Sequence, residues 1–347
     1  MFVLQKYKNY LIIVCPVAKI SHLIIKNIIS YSISLHFSHC FCTFAPIMKK
    51  YRLILLFVVP LIVAIVVCEC LLRSFPNSYK LKYERVCQLG DSVETLILGA
   101  SHTYMGLNPQ YFHERAFNLA HISQTFDYDY KLLEKFAPRL RPKTVITAVD
   151  NGILFDPPLE TSDGWYLCTS YQLYMDCGDY SVFSKFNYEI SSSTNTFKKI
   201  EKHWKGEDVE CDQSGWCVTY KASQRDTAEC SYDYSMRRIE NHTCKNWDDY
   251  QHNQQALFQL CDYCRQHGIR LILIMTPTIP SYYQQIPPRQ KEAIQNTLVY
   301  CQKHYGAEIG DYLEDKRFSG DDFYDCDHLS DIGAMKFSQI IAADFCL

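Results

Sequence analysis

An apolar run near the amino terminus constrains this chain more than any other feature. Residues 53–72 read LILLFVVPLIVAIVVCECLL, and Glu69 is the only charged residue among them. Twenty residues of helix rise about 30 Å, which is the thickness of the hydrocarbon core of a bilayer. The residues just before the run are basic, with cations at Lys49, Lys50 and Arg52. Because basic residues keep their side of a span in the cytoplasm, we expect a single-pass signal anchor over 48–73 with everything after it outside the cytoplasm.

Two questions about this region stay open. A cleaved signal peptide is the alternative to an anchor, although no small-x-small cleavage site follows the run. Residues 1–47 contain no Asp or Glu and show no helical or strand period. Met48, followed by two lysines and the apolar run, is typical of the start of a secretory protein. We therefore expect Met48 to be the initiator and 1–47 to be a mis-annotated or disordered extension.

The average composition hides a charge difference between the two parts of the chain. The 347 residues contain 35 Lys and Arg against 38 Asp and Glu, which excludes a strongly basic nucleic-acid binder. Residues 74–347 alone contain 27 basic and 37 acidic residues, a net charge of −10. Twelve of the 17 cysteines lie there too. Disulfides are plausible outside the cytoplasm, and Cys211 and Cys217, which flank a Gly-Trp turn, are the first pair to test.

Short apolar runs alternating with helical patterns indicate the fold class. The runs are nearly all apolar, as in strands buried on both faces of a parallel sheet, and they lie at 95–98, 144–149 and 270–275. Amphipathic helical patterns lie at 124–137, before Pro138, and at 248–267, 292–305 and 330–342. This order predicts a three-layer α/β/α sandwich with a parallel, flavodoxin-like sheet. The stretch 155–244 breaks the rhythm, and we expect an aromatic, cysteine-rich insertion that caps the sheet.

Two short motifs carry the chemistry. The first strand runs into Gly99-Ala100-Ser101, so the hydroxyl of Ser101 is expected at the carboxyl edge of the sheet, beside the amide groups of the turn. Near the other end, Asp325 stands three residues before His328. This spacing lets the carboxylate reach Nδ1 while Nε2 faces a serine. A serine and a histidine with its orienting acid are the minimum set for nucleophilic acyl transfer.

These motifs resemble the blocks of the SGNH (GDSL-like) hydrolase superfamily, in the family's order. The matching segments are ILGASHTY, AFNLAHISQT, TVITAVDNG and DCDHLSDIGAMKFS, within about 94–151 and 270–342. The part after Met48 resembles membrane-anchored bacterial envelope proteins of this type. The resemblance implies that Ser101 is the nucleophile, His328 the general base and Asp325 its orienter. It also implies an oxyanion hole with a backbone N–H from Ser123, at the family's glycine, and the side chain of Asn151.

The resemblance further implies a function and a location. We expect a serine esterase or O-acyltransferase acting on short acyl esters, most plausibly acetyl, of envelope or capsular polysaccharide. It would sit in the bacterial cytoplasmic (inner) membrane through 53–72, facing the periplasm, and need no metal or organic cofactor. The motif Gly-Ala-Ser lacks the family's Asp, and Val-Asp-Asn replaces Gly-x-Asn-Asp. An inactive relative that binds or assembles surface glycans is therefore the alternative; a protease fits the triad but lacks a peptide-binding signature.

Several other groups of residues allow both a structural and a functional interpretation. His102 and His121 are expected to be local structural residues. The acidic residues Asp321, Asp322 and Asp327 could bind calcium or merely be solvated. Cys261 and Cys264 resemble a redox or zinc half-site, but their place on a helix stripe favours the core. The aromatic residues of the insertion could stack on sugars, although packing beneath a lid is favoured; they include Trp165, Tyr166, Tyr171, Tyr174, Tyr180 and Trp216.

Overall fold

The structure is a computed structural model that describes residues 41–178 and 180–347, and only the backbone of 41–50 and Leu53. The hypothesis about 1–47 therefore lies mostly outside the described residues. The chain divides at Val67, and Cys68–Leu347 forms the larger compact unit. Helix α1 runs from Phe41 through Met48 to Ser74. Its part Ile54–Ser74 is long and apolar enough to cross a membrane, a test that a signal sequence would also pass.

The larger unit alternates helices and strands. The strands are β1 (Thr95–Ile97), β2 (Ala116–Asn118), β3 (Thr144–Ala148), β4 (Arg270–Met275) and β5 (Glu308–Asp311). The helices after α1 are α2 (Ser78–Leu89), α3 (Ser101–Gly106), α4 (Phe126–Leu140), α5 (Leu167–Tyr174), α6 (Ser193–Lys205), α7 (Tyr232–His242), α8 (Trp247–Gln266), α9 (Pro280–Tyr283), α10 (Pro288–Tyr305) and α11 (Asp331–Phe345). Within the described residues, the strands form one five-stranded sheet in the order β2-β1-β3-β4-β5, with every pair parallel.

The core explains the two-sided apolar runs. Successive residues of a strand point to opposite faces, so Leu271 and Leu273 of β4 pack into one cluster while Ile272 and Ile274 pack into another. The first cluster also receives the apolar stripes of α4, α8 and α10, and the second receives that of α11. Helices therefore cover both faces, which confirms the predicted three-layer α/β fold with a parallel sheet.

The predicted helices form, with shifted ends. The predicted end of α4 before Pro138 was wrong, since the helix continues to Leu140. Phe136, Ala137 and Leu140 are all buried, and their burial offsets the backbone hydrogen bond that proline cannot make. Both cysteines of the Cys261/Cys264 pair are buried in the first cluster, as the core interpretation expected.

Sheet order determines where a ligand can approach. In the order 2-1-3-4-5 the chain moves outward in opposite directions from β1 and β3, so the crevice at their carboxyl ends is the favoured binding position. The segment after β1 contains Ser101, and the segment after β3 contains Asp150 and Asn151.

Candidate active site

The turn that carries Ser101 accepts only glycine at position 99. Gly99 has φ +107°, and a Cβ there would lie 2.7 Å from Thr103 Oγ1 and 2.9 Å from Thr147 Oγ1. The turn leads directly into α3, which begins at Ser101. The first amide N–H groups of a helix have no acceptor within the helix, so those of Ser101 and His102 are free to bind an anion.

Asp325 and His328 lie in the loop between β5 and α11. Asp325 Oδ1 accepts the backbone N–H of His328 at 2.7 Å and that of Asp327 at 3.0 Å, which fixes the carboxylate inside the loop. His328 Nδ1 lies 2.9 Å from Asp325 Oδ2. Since a carboxylate can only accept, Nδ1 carries the hydrogen and Nε2 is left as an acceptor.

The fold places the Asp325–His328 pair next to Ser101. His328 Nε2 lies 2.8 Å from Ser101 Oγ, across 227 residues of sequence. His328 and Asp325 are buried, while Ser101 is partly exposed. Ser101, His328 and Asp325 therefore form one continuous hydrogen-bonded chain that ends at an accessible hydroxyl. Their catalytic roles remain predictions.

The charge around His328 comes from two carboxylates. Burial alone would lower the pKa of His328, but Asp325 and Asp327 outweigh burial and raise it. Asp327 Oδ1 lies 3.4 Å from His328 Nδ1. A base held too strongly in its protonated form cannot accept a proton from serine, so the charge on Asp327 has to be balanced.

Two cations balance Asp327, and sequence reasoning identified neither. Arg238, on α7, donates through Nε to both carboxylate oxygens of Asp327 at 2.9 and 3.1 Å. His102 Nε2 lies 3.6 Å from Asp327 Oδ2, and its Nδ1 lies 2.7 Å from Asp150 Oδ2. Burial would lower the pKa of His102, but Asp150 and Asp327 raise it to about 10, so this ring is charged at neutral pH. The expectation that His102 is a purely local residue thus missed its place beside the triad.

The loop after β2 runs beside the turn formed by residues 99–101. The N–H of Leu119 donates to Ile97 O and that of His121 to Gly99 O, at 2.8 and 3.2 Å. Lys82 is fully buried and donates to the carbonyl of Ala120. Ser123 follows with φ 55°, the left-handed conformation that favours glycine. Its backbone N–H makes no hydrogen bond to the described residues. Its predicted place in the oxyanion hole is untested.

Asn151 is held through its side-chain oxygen, and its Nδ2, the atom that would donate to an oxyanion, has no hydrogen-bond partner among the described residues. Its Oδ1 accepts a hydrogen bond from Gln290 Nε2 at 2.8 Å, and the side chain is buried. Among the described residues, no hydrogen bond joins Asn151 to Ser101, and the residue of this segment that reaches the triad's surroundings is Asp150. Asn151 as an oxyanion donor therefore remains a prediction.

Asp129 holds the turn at residues 99–101 in place through hydrogen bonds. Its Oδ1 accepts the N–H of Gly99 at 2.9 Å and its Oδ2 accepts the Thr147 hydroxyl at 2.8 Å. Burial raises the pKa of Asp129 to about 6. Sequence reasoning missed this residue, yet a signal exists: Asp129 falls on the same stripe of α4 as Phe126 and Leu132.

The predicted insertion forms one wall of the site. Trp216 Nε1 donates to Met105 O at 2.7 Å and the N–H of Cys217 donates to Tyr104 O at 3.2 Å, so this segment lies on α3. The ring of Tyr220 meets that of His328 edge-on at 5.6 Å. Most of the aromatic residues considered for a sugar platform pack against the first core cluster instead, which favours the packing interpretation; they are Trp165, Tyr171, Tyr174 and Tyr180.

The acidic residues near the site are poor metal ligands. His102, Asp327 and His328 offer ligand atoms within 4.8 Å of one another. However, His328 Nδ1 is bonded to Asp325 and Asp327 is paired with Arg238. Asp321 and Asp322, considered as calcium ligands, pair with Arg225 and Lys336 at 2.8 and 2.9 Å. A metal ion would have to displace a cation at each position, so the geometry favours an ion-pair network.

Comparisons with known proteins locate distant structural neighbours only. No protein-family model matches the chain, and no curated protein matches it. A GDSL-like lipase from Bacteroides thetaiotaomicron is 11% identical, over 78% of this chain and 98% of that one, with a TM-score of 0.38. A proposed acylhydrolase from Bacteroides fragilis is 10% identical, over 75% of this chain and 92% of that one, with a TM-score of 0.36. At these TM-scores the alignments carry no inference about activity or substrate.

Proposed function

We propose that this protein is a membrane-anchored serine esterase or O-acyltransferase that acts on short acyl esters. The observation that carries the proposal is the hydrogen-bonded chain from Ser101 Oγ through His328 to Asp325, with distances of 2.8 and 2.9 Å. A buried imidazole whose far nitrogen is held by a carboxylate is suited to remove the proton of a serine hydroxyl.

The reaction begins at the ester carbonyl. Ser101 Oγ forms a bond to the carbonyl carbon while its proton passes to His328 Nε2, and the carbonyl oxygen takes the negative charge. The N–H groups of Ser101 and Ser123 and the amide of Asn151 are the proposed donors to that oxygen. When the bond to the leaving alcohol breaks, His328 returns the proton to the departing oxygen, and the acyl group remains on Ser101.

The second half decides between the two activities. His328 takes a proton from the incoming hydroxyl as its oxygen bonds to the acyl carbon. The bond from that carbon to Ser101 Oγ then breaks, and His328 returns the proton to Oγ. Water as the acceptor gives an esterase, and a sugar hydroxyl gives an acyltransferase. In both half-reactions Asp325 stabilises the imidazolium of His328. Arg238 and His102 limit how far Asp327 raises the pKa of His328.

The substrate and location rest on the sequence. The resemblance to bacterial envelope proteins supports acetylated envelope or capsular polysaccharide as the substrate. The apolar helix Ile54–Ser74, with basic residues before it, supports an anchor in the cytoplasmic membrane and a periplasmic domain.

One observation favours a second candidate function. The segment after β3 reads Val-Asp-Asn rather than Gly-x-Asn-Asp, and Gln290 holds Asn151 through Oδ1 while Nδ2 makes no hydrogen bond to the described residues, Ser101 included. Losing one oxyanion donor reduces turnover by about 10² to 10³. A protein that keeps the fold and binds or helps assemble surface glycans, without turnover, is consistent with that arrangement.

A fluorophosphonate probe separates the two candidates, because it reacts only with an activated serine. We expect the wild-type chain to be labelled and Ser101→Ala to be unlabelled. Ser193→Ala, which removes an exposed serine at the start of α6, is the matched control and should label normally. Equal labelling of wild type and Ser101→Ala would contradict the enzyme proposal. Acetate release from native polysaccharide, with and without added sugar acceptor, then separates hydrolysis from transfer.

A further inference from the structure

Exposed aromatic side chains concentrate in one stretch of the larger unit, 181–205. Val182, Phe183, Phe197 and Trp204 are 74, 93, 72 and 83% exposed. No other large apolar side chain outside α1, among the described residues, exceeds 55% exposure. Single exposed apolar residues are ordinary, but four this exposed within one stretch indicate an interaction surface.

The stretch 181–205 is bonded to the last turns of α1. Glu69 Oε1 and Oε2 accept the backbone N–H groups of Glu189 and Ile190, each at 3.1 Å. Arg73 donates to Glu69 and to the carbonyl of Asn187, both at 2.6 Å. The one acidic residue of the apolar run thus has a role, since it ties the end of that run to this stretch.

Helix α6 also contacts the chain where α1 ends. The rings of Phe75 and His203 stack face to face, with centroids 3.8 Å apart and planes 9° apart. Residues Cys68 onward, including the end of α1 and all of α6, belong to one compact unit. The middle and the carboxyl end of the exposed stretch therefore border the residues where the apolar helix ends.

Helix α6 has the composition of a helix that lies on a membrane surface. Phe197 and Trp204 are seven residues apart and so share one face. The helix carries four lysines and one glutamate, a net charge of +3. Three of the lysines form ion pairs within the chain, and Lys198 forms none with the described residues; the paired ones are Lys199, Lys202 and Lys205. A basic helix with Trp and Phe on one face is typical of interfacial helices that bind anionic lipid.

We propose that 181–205 lies in the headgroup region of the membrane that holds α1, with Phe183, Phe197 and Trp204 inserted among the lipids. Lys198, the lysine of α6 that has no ion pair among the described residues, would pair with an anionic headgroup. The occupant is a lipid surface rather than a protein because the stretch borders the end of an apolar span and exposes Phe and Trp side chains, which are typical of the membrane–water interface. This inference rests on the anchoring part of the proposed function and is independent of the serine chemistry.

The test uses the full chain in vesicles of phosphatidylethanolamine and phosphatidylglycerol with brominated acyl chains. Bromine quenches tryptophan fluorescence only at contact depth in the bilayer. The chain has four tryptophans, at 165, 204, 216 and 247. We expect Trp204→Phe to reduce the quenched fluorescence at least about twofold, since Trp204 is the one placed at the lipid. Trp247→Phe, which removes a ring packed on Phe155, is the matched control and should leave the quenched fluorescence unchanged.

The outcomes distinguish the two proposals. A chain that does not float with the vesicles would overturn the anchor and this inference together, without bearing on fluorophosphonate labelling. A chain that floats but is quenched equally with and without Trp204 would overturn only the lipid contact. Cross-linked chain pairs that Trp204→Phe abolishes would instead assign the surface to a second copy of the chain.

Discussion

The imidazole rings of His102 and His328 stack with centroids 4.7 Å apart and planes 16° apart. A charged ring thus lies against the ring proposed as the general base. His102 is held charged by Asp150, and it faces the same Asp327 that raises the pKa of His328. Asp327 favours protonation of His328, while the charge on His102 opposes it. The balance between them determines the pH at which His328 can accept a proton.

Removing a cation beside Asp327 should shift this balance. Because Asp327 would then act on His328 uncompensated, Arg238→Gln should raise the pKa of His328 further. A general base works only above its pKa, so the acidic limb of the kcat/KM profile should move to higher pH. Charged groups around His328 include Asp325, Asp327, His102 and Arg238. His102→Gln should move the limb in the same direction.

The matched control for this shift is Arg237→Gln, which removes the exposed neighbouring arginine on α7. Its profile should match wild type. A limb that stays in place in both Arg238→Gln and His102→Gln would show that these cations do not set the protonation of His328.

Asp325→Asn tests the orienting role of the carboxylate. The substitution preserves size but leaves no carboxylate to accept from His328 Nδ1, so the ring can turn to the wrong tautomer. We expect kcat to fall by about 10⁴ while the protein stays folded. The rate of fluorophosphonate labelling measures the reactivity of Ser101, and circular dichroism checks that the variant stays folded. Wild-type labelling rates in Asp325→Asn would contradict the assignment.

Asp129 should give the protein a stability that depends on pH. Burial raises its pKa from an ordinary 3.8 to about 6, so the folded chain binds a proton more readily than the unfolded chain. The contribution of this residue is therefore fully present below about pH 4 and is lost as pH rises through about 6. Asp129→Asn should flatten this part of the Tm-against-pH curve. Asp129→Ala should lower Tm at every pH, because the N–H of Gly99 loses its acceptor.

Gly99→Ala should damage the nucleophile turn. The new Cβ would meet two hydroxyl oxygens closer than 3 Å, at a positive φ. Gly268 is the matched control, since it also has positive φ but nothing lies within 4 Å of its Cβ position. Strain at such a φ costs roughly 1–3 kcal/mol, so both variants should lose stability in thermal unfolding. Gly99→Ala should lose more and should also lose labelling; equal losses would contradict the steric argument.

Cys211 and Cys217 are free thiols in the structure, and we expect them to form a disulfide under oxidising conditions. They face each other across an antiparallel bridge, and the flanking hydrogen bonds Asp212 N–H to Trp216 O and Val218 N–H to Glu210 O make them a non-hydrogen-bonded pair. Such pairs have Cα atoms about 4.5 Å apart, within the range for a disulfide. Closing so short a loop should add about 2 kcal/mol to the free energy of unfolding.

Peptide mass spectrometry without reduction checks this pairing. The linked peptide should appear in protein exported from the cytoplasm, and Cys217→Ser should lower Tm to the reduced value. Cys261 and Cys264, buried on α8, should stay as thiols. Free thiols at 211 and 217 in exported protein would contradict the prediction.

Local patterns in the sequence predicted the long apolar helix, the fold class and the proposed triad. The runs at 144–149 and 270–275 are apolar on both faces because β3 and β4 are central strands, and this signal needs no distant partner. The strands β2 and β5 escaped prediction because they are short edge strands with polar residues, where one side of the sheet is open. Asp325 and His328 were found because they lie only three positions apart in the sequence.

Only the tertiary structure decided the electrostatic setting of the site. Arg238 and Asp327 are 89 residues apart, and His102 and Asp150 are 48 apart, so no local pattern connects either pair. Ion pairs form wherever the fold brings opposite charges into a buried space, and a linear sequence does not encode that distance. The sequence therefore determined which residues could carry acyl transfer, while packing determined the charge that surrounds the proposed base.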